Sequence, residues 1–143
     1  MMNDKYREAE VMEDKLMIKS ALESLGYRPQ VDSDGDLYLC YQMKSFYFTV
    51  EDTECGKFVT VILPQLYEFD DSVAIKILAA CNKLNRDLRL AKLFVNQTFD
   101  GVSATYEFFY EDECALKQNL HCSIAALGMI RTAFLKVLGE LSD

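Results

Sequence analysis

One histidine, two prolines and six glycines are spread over 143 residues, and none of the short signatures that announce a chemistry is present: no GxGxxG, GxxxxGK, GxSxG or HExxH. Each absence removes a class of function. Any acid–base or triad mechanism resting on imidazole must use His121 alone. The five cysteines, Cys40, Cys55, Cys81, Cys114 and Cys122, are odd in number and never in CxxC spacing. They fit free thiols of a reduced compartment, acting mostly as small apolar residues. No window approaches the roughly 18 uninterrupted apolar residues of a bilayer span. The opening "MMNDKYREAEVMEDK" is charged throughout and lacks the apolar core of a secretory signal. A cytoplasmic protein without a membrane partner is the expectation. The net charge of -8, with lysines and arginines dispersed, repels a phosphate backbone, so nucleic acid is not an expected partner either.

What the chain does contain is periodicity. Half its residues are apolar and 27% are charged, without low-complexity tracts, which predicts one globular domain over residues 1–143. From Asp4 to Leu25, Val11, Met12, Leu16, Ile18, Leu22 and Leu25 recur at three- and four-residue steps, predicting an amphipathic helix. Gly26 follows as a left-handed cap and Pro29 forbids continuation. The period then changes to two. Leu37, Leu39 and Tyr41 alternate with Tyr38 and Cys40; Phe46, Phe48 and Val50 with Tyr47 and Thr49; Val59, Val61 and Leu63 with Phe58, Thr60 and Ile62. Links as short as "EDTECG" join only antiparallel neighbours, so this is a meander, and Pro64 is read as its end. Asp71 or Ser72 should cap the helix "VAIKILAACNKLN", apolar around most of its circumference except at Lys76 and Lys83. Two strands, "AKLFVNQT" and "VSATYEFFY", follow, joined through an Asp100–Gly101 turn. A long helix from Leu116 to Leu141 closes the chain, with a possible break at Gly128. The order α-β-β-β(-β)-α-β-β-α predicts an α+β fold, helices packed on an antiparallel sheet of five to six strands.

The stretch "QVDSDGDLYLCYQ" invites a calcium reading through Asp32, Asp34 and Asp36. An EF-hand loop wants glycine at position 6 and glutamate at position 12, whereas Gly35 falls at position 4 and Met43 at 12. Asp34 and Gly35 read instead as a hairpin turn. His121 and Cys114 lie seven positions apart, about 10 Å along a helix, too far to share a zinc ion. The acidic clusters "EDTE" and "YEDE" fall between elements, where a solvated turn is the plain reading. No catalytic residue, cofactor or metal is expected.

At "CNKLNRDLRLAKLFV", Asn82, Leu84 and Asn85 at a helix end, then Lys92 opening a strand, resemble the pattern of the YbjN-type proteins, a bacterial family of sensory transduction regulators. The "LGY" exit from the first helix, Leu25 to Tyr27, is similar too, and the resemblance runs from Leu16 to about Leu138. It implies an α+β fold shared with type III secretion chaperones, which are dimeric, acidic and nonenzymatic and hold partly unfolded effectors. Asn82 and Asn85 themselves read as cap or turn residues on local chemistry.

These readings favour a non-enzymatic protein-binding module, chaperone-like or regulatory, with a small-molecule sensor second and an enzyme third. The candidate partner-binding residues are Tyr38, Tyr47, Phe58, Ile62, Phe94 and Phe109, which alternation places on the second face of the sheet among Thr49, Thr60, Lys92 and Glu107. Aromatics are unusual on a half-solvated face; the plainer alternatives are a register slip at a bulge, or the central helix covering that face. The central helix has more apolar circumference than the few other elements can cover, which predicts a homodimer through Val73, Ile77 and Leu84.

Overall fold

The computed structural model describes residues 4–141. Helix α1 (Asp4–Ser24) forms where the periodicity places it. Gly26 takes φ +95° beyond its end, and the Tyr27 N–H returns to the Leu22 carbonyl at 3.0 Å, closing the helix as a left-handed glycine cap does. The face that α1 buries is narrower than its apolar pattern. Ile18, Ala21 and Leu22 are in the core, while Val11, Met12 and Leu16 remain 44%, 65% and 58% exposed. Asp14 takes an inner position instead, its carboxylate 2.9 Å from the Lys57 ammonium, with Glu10 at 3.4 Å.

Six strands follow: β1 (Gln30–Val31), β2 (Leu37–Tyr41), β3 (Lys44–Thr53), β4 (Gly56–Glu68), β5 (Ala91–Val95) and β6 (Gly101–Tyr110). They make one antiparallel sheet in the order β1-β2-β3-β4-β6-β5. Pro64 does not end the meander. Strand β4 runs on through a bulge between Leu63 and Tyr67, where Gln65 adopts φ +49° and its N–H donates to Ser103 Oγ. Arg131 Nε–H holds the Leu66 carbonyl at 3.0 Å, so side chains satisfy backbone groups that the ladder misses.

The turns differ in detail from expectation. In the first hairpin the Gly35 N–H bonds to the Asp32 carbonyl, so Ser33 and Asp34 are the central pair and Gly35, at φ +84°, is the left-handed residue after them. Asp32 Oδ1 accepts from the N–H groups of Asp34 and Asp36, both at 2.9 Å, and is thereby committed to the turn. The last hairpin does not turn on Asp100–Gly101. Its loop is Asn96–Asp100, in which the Phe99 N–H bonds to the Asn96 carbonyl and Phe99 carries the positive φ of 57°. Gly101 opens β6, where a Cβ would meet Gln65 Oε1. The β2–β3 turn puts Gln42 and Met43 at φ 50° and 66°, a mirror-image turn built without glycine or asparagine.

Helix α2 (Ala74–Asp87) is preceded by a 3-10 turn, Asp71–Val73, and the side chain that caps it belongs to Asp70, accepting from Ser72, rather than to Asp71 or Ser72. Helix α3 (Glu113–Glu140), capped by Asp112, passes Gly128 without a break. By length and composition α3 could cross a membrane. Its apolar stripe is occupied otherwise: Leu116, Leu120, Ile124, Leu127, Ile130 and Phe134 are all buried against the sheet. All three helices contribute to one core with Leu37, Leu39, Phe46, Phe48, Val59, Val61, Leu93, Val102 and Ala104, the alternate residues of the sheet's inner face. The thiols depart from expectation: only Cys81 is buried, and the other four are exposed.

Candidate functional site

Because every helix packs on the inner face, the outer face of the sheet is left without a helical cover, and the alternation of the strands decides what it carries. The six candidate residues are all on it, so neither a register slip nor α2 hides them. They do not form one patch. Register places Tyr38 opposite Tyr47 and Tyr47 opposite Ile62. The two tyrosine rings stack at 5.8 Å with 30° between planes, and the Tyr38 hydroxyl donates to Gln30 Oε1 at 2.7 Å. Phe58 stands opposite Phe109, rings 4.9 Å apart and tilted by 51°. The row Thr49–Thr60–Glu107 lies between these two clusters. Phe94, opposite Ser103 on the edge strand, is separate from both. Tyr38, Tyr47, Phe58 and Ile62 are half-buried by their neighbours, while Phe94 and Phe109 are exposed. Near the sheet edge, Lys92 Nζ pairs with Glu107 Oε1 at 2.8 Å.

The groups displaced from their ordinary pKa lie elsewhere. Hydrogen bonds from the Ser72 side chain and backbone lower Asp70, and those from Thr98 and Asn96 lower Asp100; both are loop devices. Burial raises Tyr27, Tyr106 and Tyr110 and pushes the Cys81 thiol up to about 11. The hydrogen bond that Lys57 donates to the Asp14 carboxylate raises the Lys57 pKa. His121 Nδ1 lies 3.4 Å from the Tyr27 hydroxyl, an exposed contact tying the α1 exit to α3.

The expected dimer residues need correction. Ile77 is fully buried and Leu84 is 6% exposed, both in the protomer's own core, so neither is available to a second copy; Val73 is 39% exposed. The argument from uncovered circumference failed because β5 and α3 both reach α2. The apolar residues that α2 presents outward are Ile75 and Leu78.

Asn85 does not cap its own helix; both ends of its exposed side-chain amide are committed to the backbone of β5. Its Nδ2 donates to the Leu93 carbonyl at 3.0 Å and its Oδ1 accepts from the Leu93 N–H at 2.8 Å, so one amide stands in for a neighbouring strand along the free edge of β5. Sequence reasoning missed this; an amide six residues before the start of an edge strand was the available signal.

The family model described as "Putative bacterial sensory transduction regulator", YbjN, matches residues 15–135. No curated protein matches the sequence significantly. Among solved structures, the chain is similar to "YbjN, a putative transcription regulator from E. coli", at TM-score 0.60 and 11% identity, covering 86% of this chain and 89% of that one. It is also similar to a chain of the HopA1–SchA chaperone–effector complex, at TM-score 0.53 and 15% identity, covering 87% and 97%. Identities this low carry the fold, and the α+β layering expected from the sequence is the one these structures share. With the family pattern spanning more than four-fifths of its length, from Lys15 in α1 to Leu135 in α3, the chain belongs to the YbjN family.

Proposed function

We propose that the chain is a non-enzymatic regulatory or chaperone-like module that binds another protein on the uncovered face of its sheet. The observation that carries this reading is the placement of Tyr38, Tyr47 and Ile62 as one cluster and Phe58 with Phe109 as another on a face no helix covers. A sheet face meant only for water is expected to alternate to polar residues, and aromatics are the side chains interfaces favour. The family and the chaperone–effector neighbour support the same reading at the level of fold. A second copy, if it pairs through α2, uses Ile75 and Leu78; light scattering of the wild type against Ile75→Glu tests this, and equal masses for the two rule that pairing out.

The test of the main reading is affinity capture from a native lysate with mass spectrometry, wild type against Tyr47→Ser/Phe58→Ser. The double variant should keep its circular dichroism spectrum and lose the wild-type partners. Where the half-buried positions disturb folding, Phe109→Ser, at a residue 49% exposed, is the replacement. A folded variant that retains the same partners sinks the proposal.

A further inference from the structure

A second surface lies on the helical side of the molecule. Along one flank of α1, the exposed Val11, Met12 and Leu16 face Val31, Gly35 and Leu37 of the first hairpin across a groove of about 610 Å³. Lys15 Nζ donates to the Gly35 carbonyl at 2.9 Å and so fixes the hairpin to the helix. The floor is apolar and the rim is cationic: Arg7, Lys15 and Lys19 against Glu8 alone. In a chain with 23 acidic and 15 basic residues, a lining that holds three cations and one acid gives this apolar groove a charge opposite to that of the chain as a whole. From Arg7 to Lys19 the helix rises about 18 Å, the length of three helical turns or of a five- to six-residue strand. The groove is open along that length and adjoins β1, the terminal strand of the sheet, whose outward backbone groups can pair with a peptide and offer nothing to an acyl chain.

We propose that this groove docks a short acidic, amphipathic segment of another protein. Its apolar residues seat on Val11, Met12, Leu16 and Val31, and flanking aspartates or glutamates meet Arg7, Lys15 and Lys19. The site is separate from the outer sheet face, so the two can be tested apart.

Selection of a phage-displayed library of random 12-residue peptides on the intact chain reads the preferred chemistry directly. Recovered sequences should pair apolar anchors with acidic flanks. Binding of the most enriched synthetic peptide, followed by fluorescence anisotropy, should weaken at least tenfold in Leu16→Glu and in Arg7→Glu/Lys19→Glu, and weaken with added salt in the wild type. The Tyr47→Ser/Phe58→Ser variant should bind it unchanged, which separates this proposal from the one above. Met12→Glu, at a 65% exposed position, replaces Leu16→Glu where the latter lowers the melting temperature. The proposal is overturned when no peptide is recovered, when recovered peptides lack acidic enrichment, or when binding survives the groove variants. Leu16-dependent binding to phosphatidylglycerol-containing vesicles in place of peptide assigns the groove to a membrane surface and overturns it equally.

Discussion

The ion pair between Asp14 and Lys57 joins α1 to the start of β4, and its two partners are unequally covered: the Asp14 side chain is 10% exposed and that of Lys57 29%. This inequality predicts unequal mutants. Lys57→Met keeps the aliphatic stem and removes the ammonium, leaving a nearly buried carboxylate with Glu10 close by. Breaking a fully buried pair costs about 3 to 5 kcal/mol, and the residual exposure reduces this to about 2 to 3 kcal/mol. Asp14→Asn leaves Lys57 with an amide oxygen to donate to, Glu10 at 3.4 Å and access to water, so the loss is about 1 kcal/mol. For a chain of this length each kcal/mol lowers Tm by roughly 3 to 4 °C, giving losses of about 6 to 12 °C and about 3 to 4 °C. The pH dependence has a definite sign. The Asp14 hydrogen bond raises the Lys57 pKa above its ordinary 10.5, so the stabilisation is complete below 10.5 and is lost as pH rises through the folded-state value. The gap between wild type and Lys57→Met should therefore stay constant from pH 7 to 9 and close above about 10.5. Urea titrations of both single variants and the double variant, at pH 7 and at pH 11, measure all of this. A Lys57→Met no less stable than Asp14→Asn, or a gap that widens at alkaline pH, refutes the reasoning.

With Ellman's reagent the native chain should show four fast thiols, Cys40, Cys55, Cys114 and Cys122, and release the fifth only on unfolding, because Cys81 is buried and its pKa is pushed up to about 11. Five fast thiols in the native state contradict that burial. Replacing Gln42–Met43 by Asn–Gly should raise stability by about 1 to 2 kcal/mol, since two ordinary side chains at positive φ together cost about 2 to 4 kcal/mol and the chain entropy that glycine loses on folding offsets part of the relief; an unchanged denaturation midpoint refutes the strain. Millimolar calcium should leave Tm unchanged, because Asp32 Oδ1 already accepts two backbone N–H groups, and a clear rise shows that the three carboxylates bind the ion.

The strands and their faces were legible because alternation is a local code: once Leu37, Phe46 and Val59 point inward, Tyr38, Tyr47 and Phe58 must point outward. Turns were harder. A glycine next to an aspartate says that a left-handed residue is near but not which side of the central pair it falls on, and the shift at Gly35 and the use of Phe99 in place of Gly101 are both errors of that kind. Burial of α1 and α2 could not be read from periodicity, which counts apolar residues without counting neighbours. Leu16 stays exposed and Ile77 is covered because of where β5, α3 and the first hairpin happen to reach. The α1 groove is out of reach for the same reason, since its walls are separated along the chain. Asn85 was noticed in the sequence, but its role depends on the backbone of Leu93, eight residues away in β5.

Strand β4 pairs with β3 only as far as Ile62, and with β6 along almost its whole length, from Lys57 to Glu68. Val61 and its β6 partner Tyr106 are roughly 45 residues apart in the chain. During synthesis, then, the meander emerges with one edge of its longest strand unsatisfied, and that edge waits for α2, β5 and β6 to be made. The segment left open on both edges until then, Leu63 to Tyr67, is the one interrupted by Pro64 and bent at Gln65. A residue without an N–H in a kinked stretch is a poor template for another nascent chain, so the bulge protects the protein against self-association before it is finished.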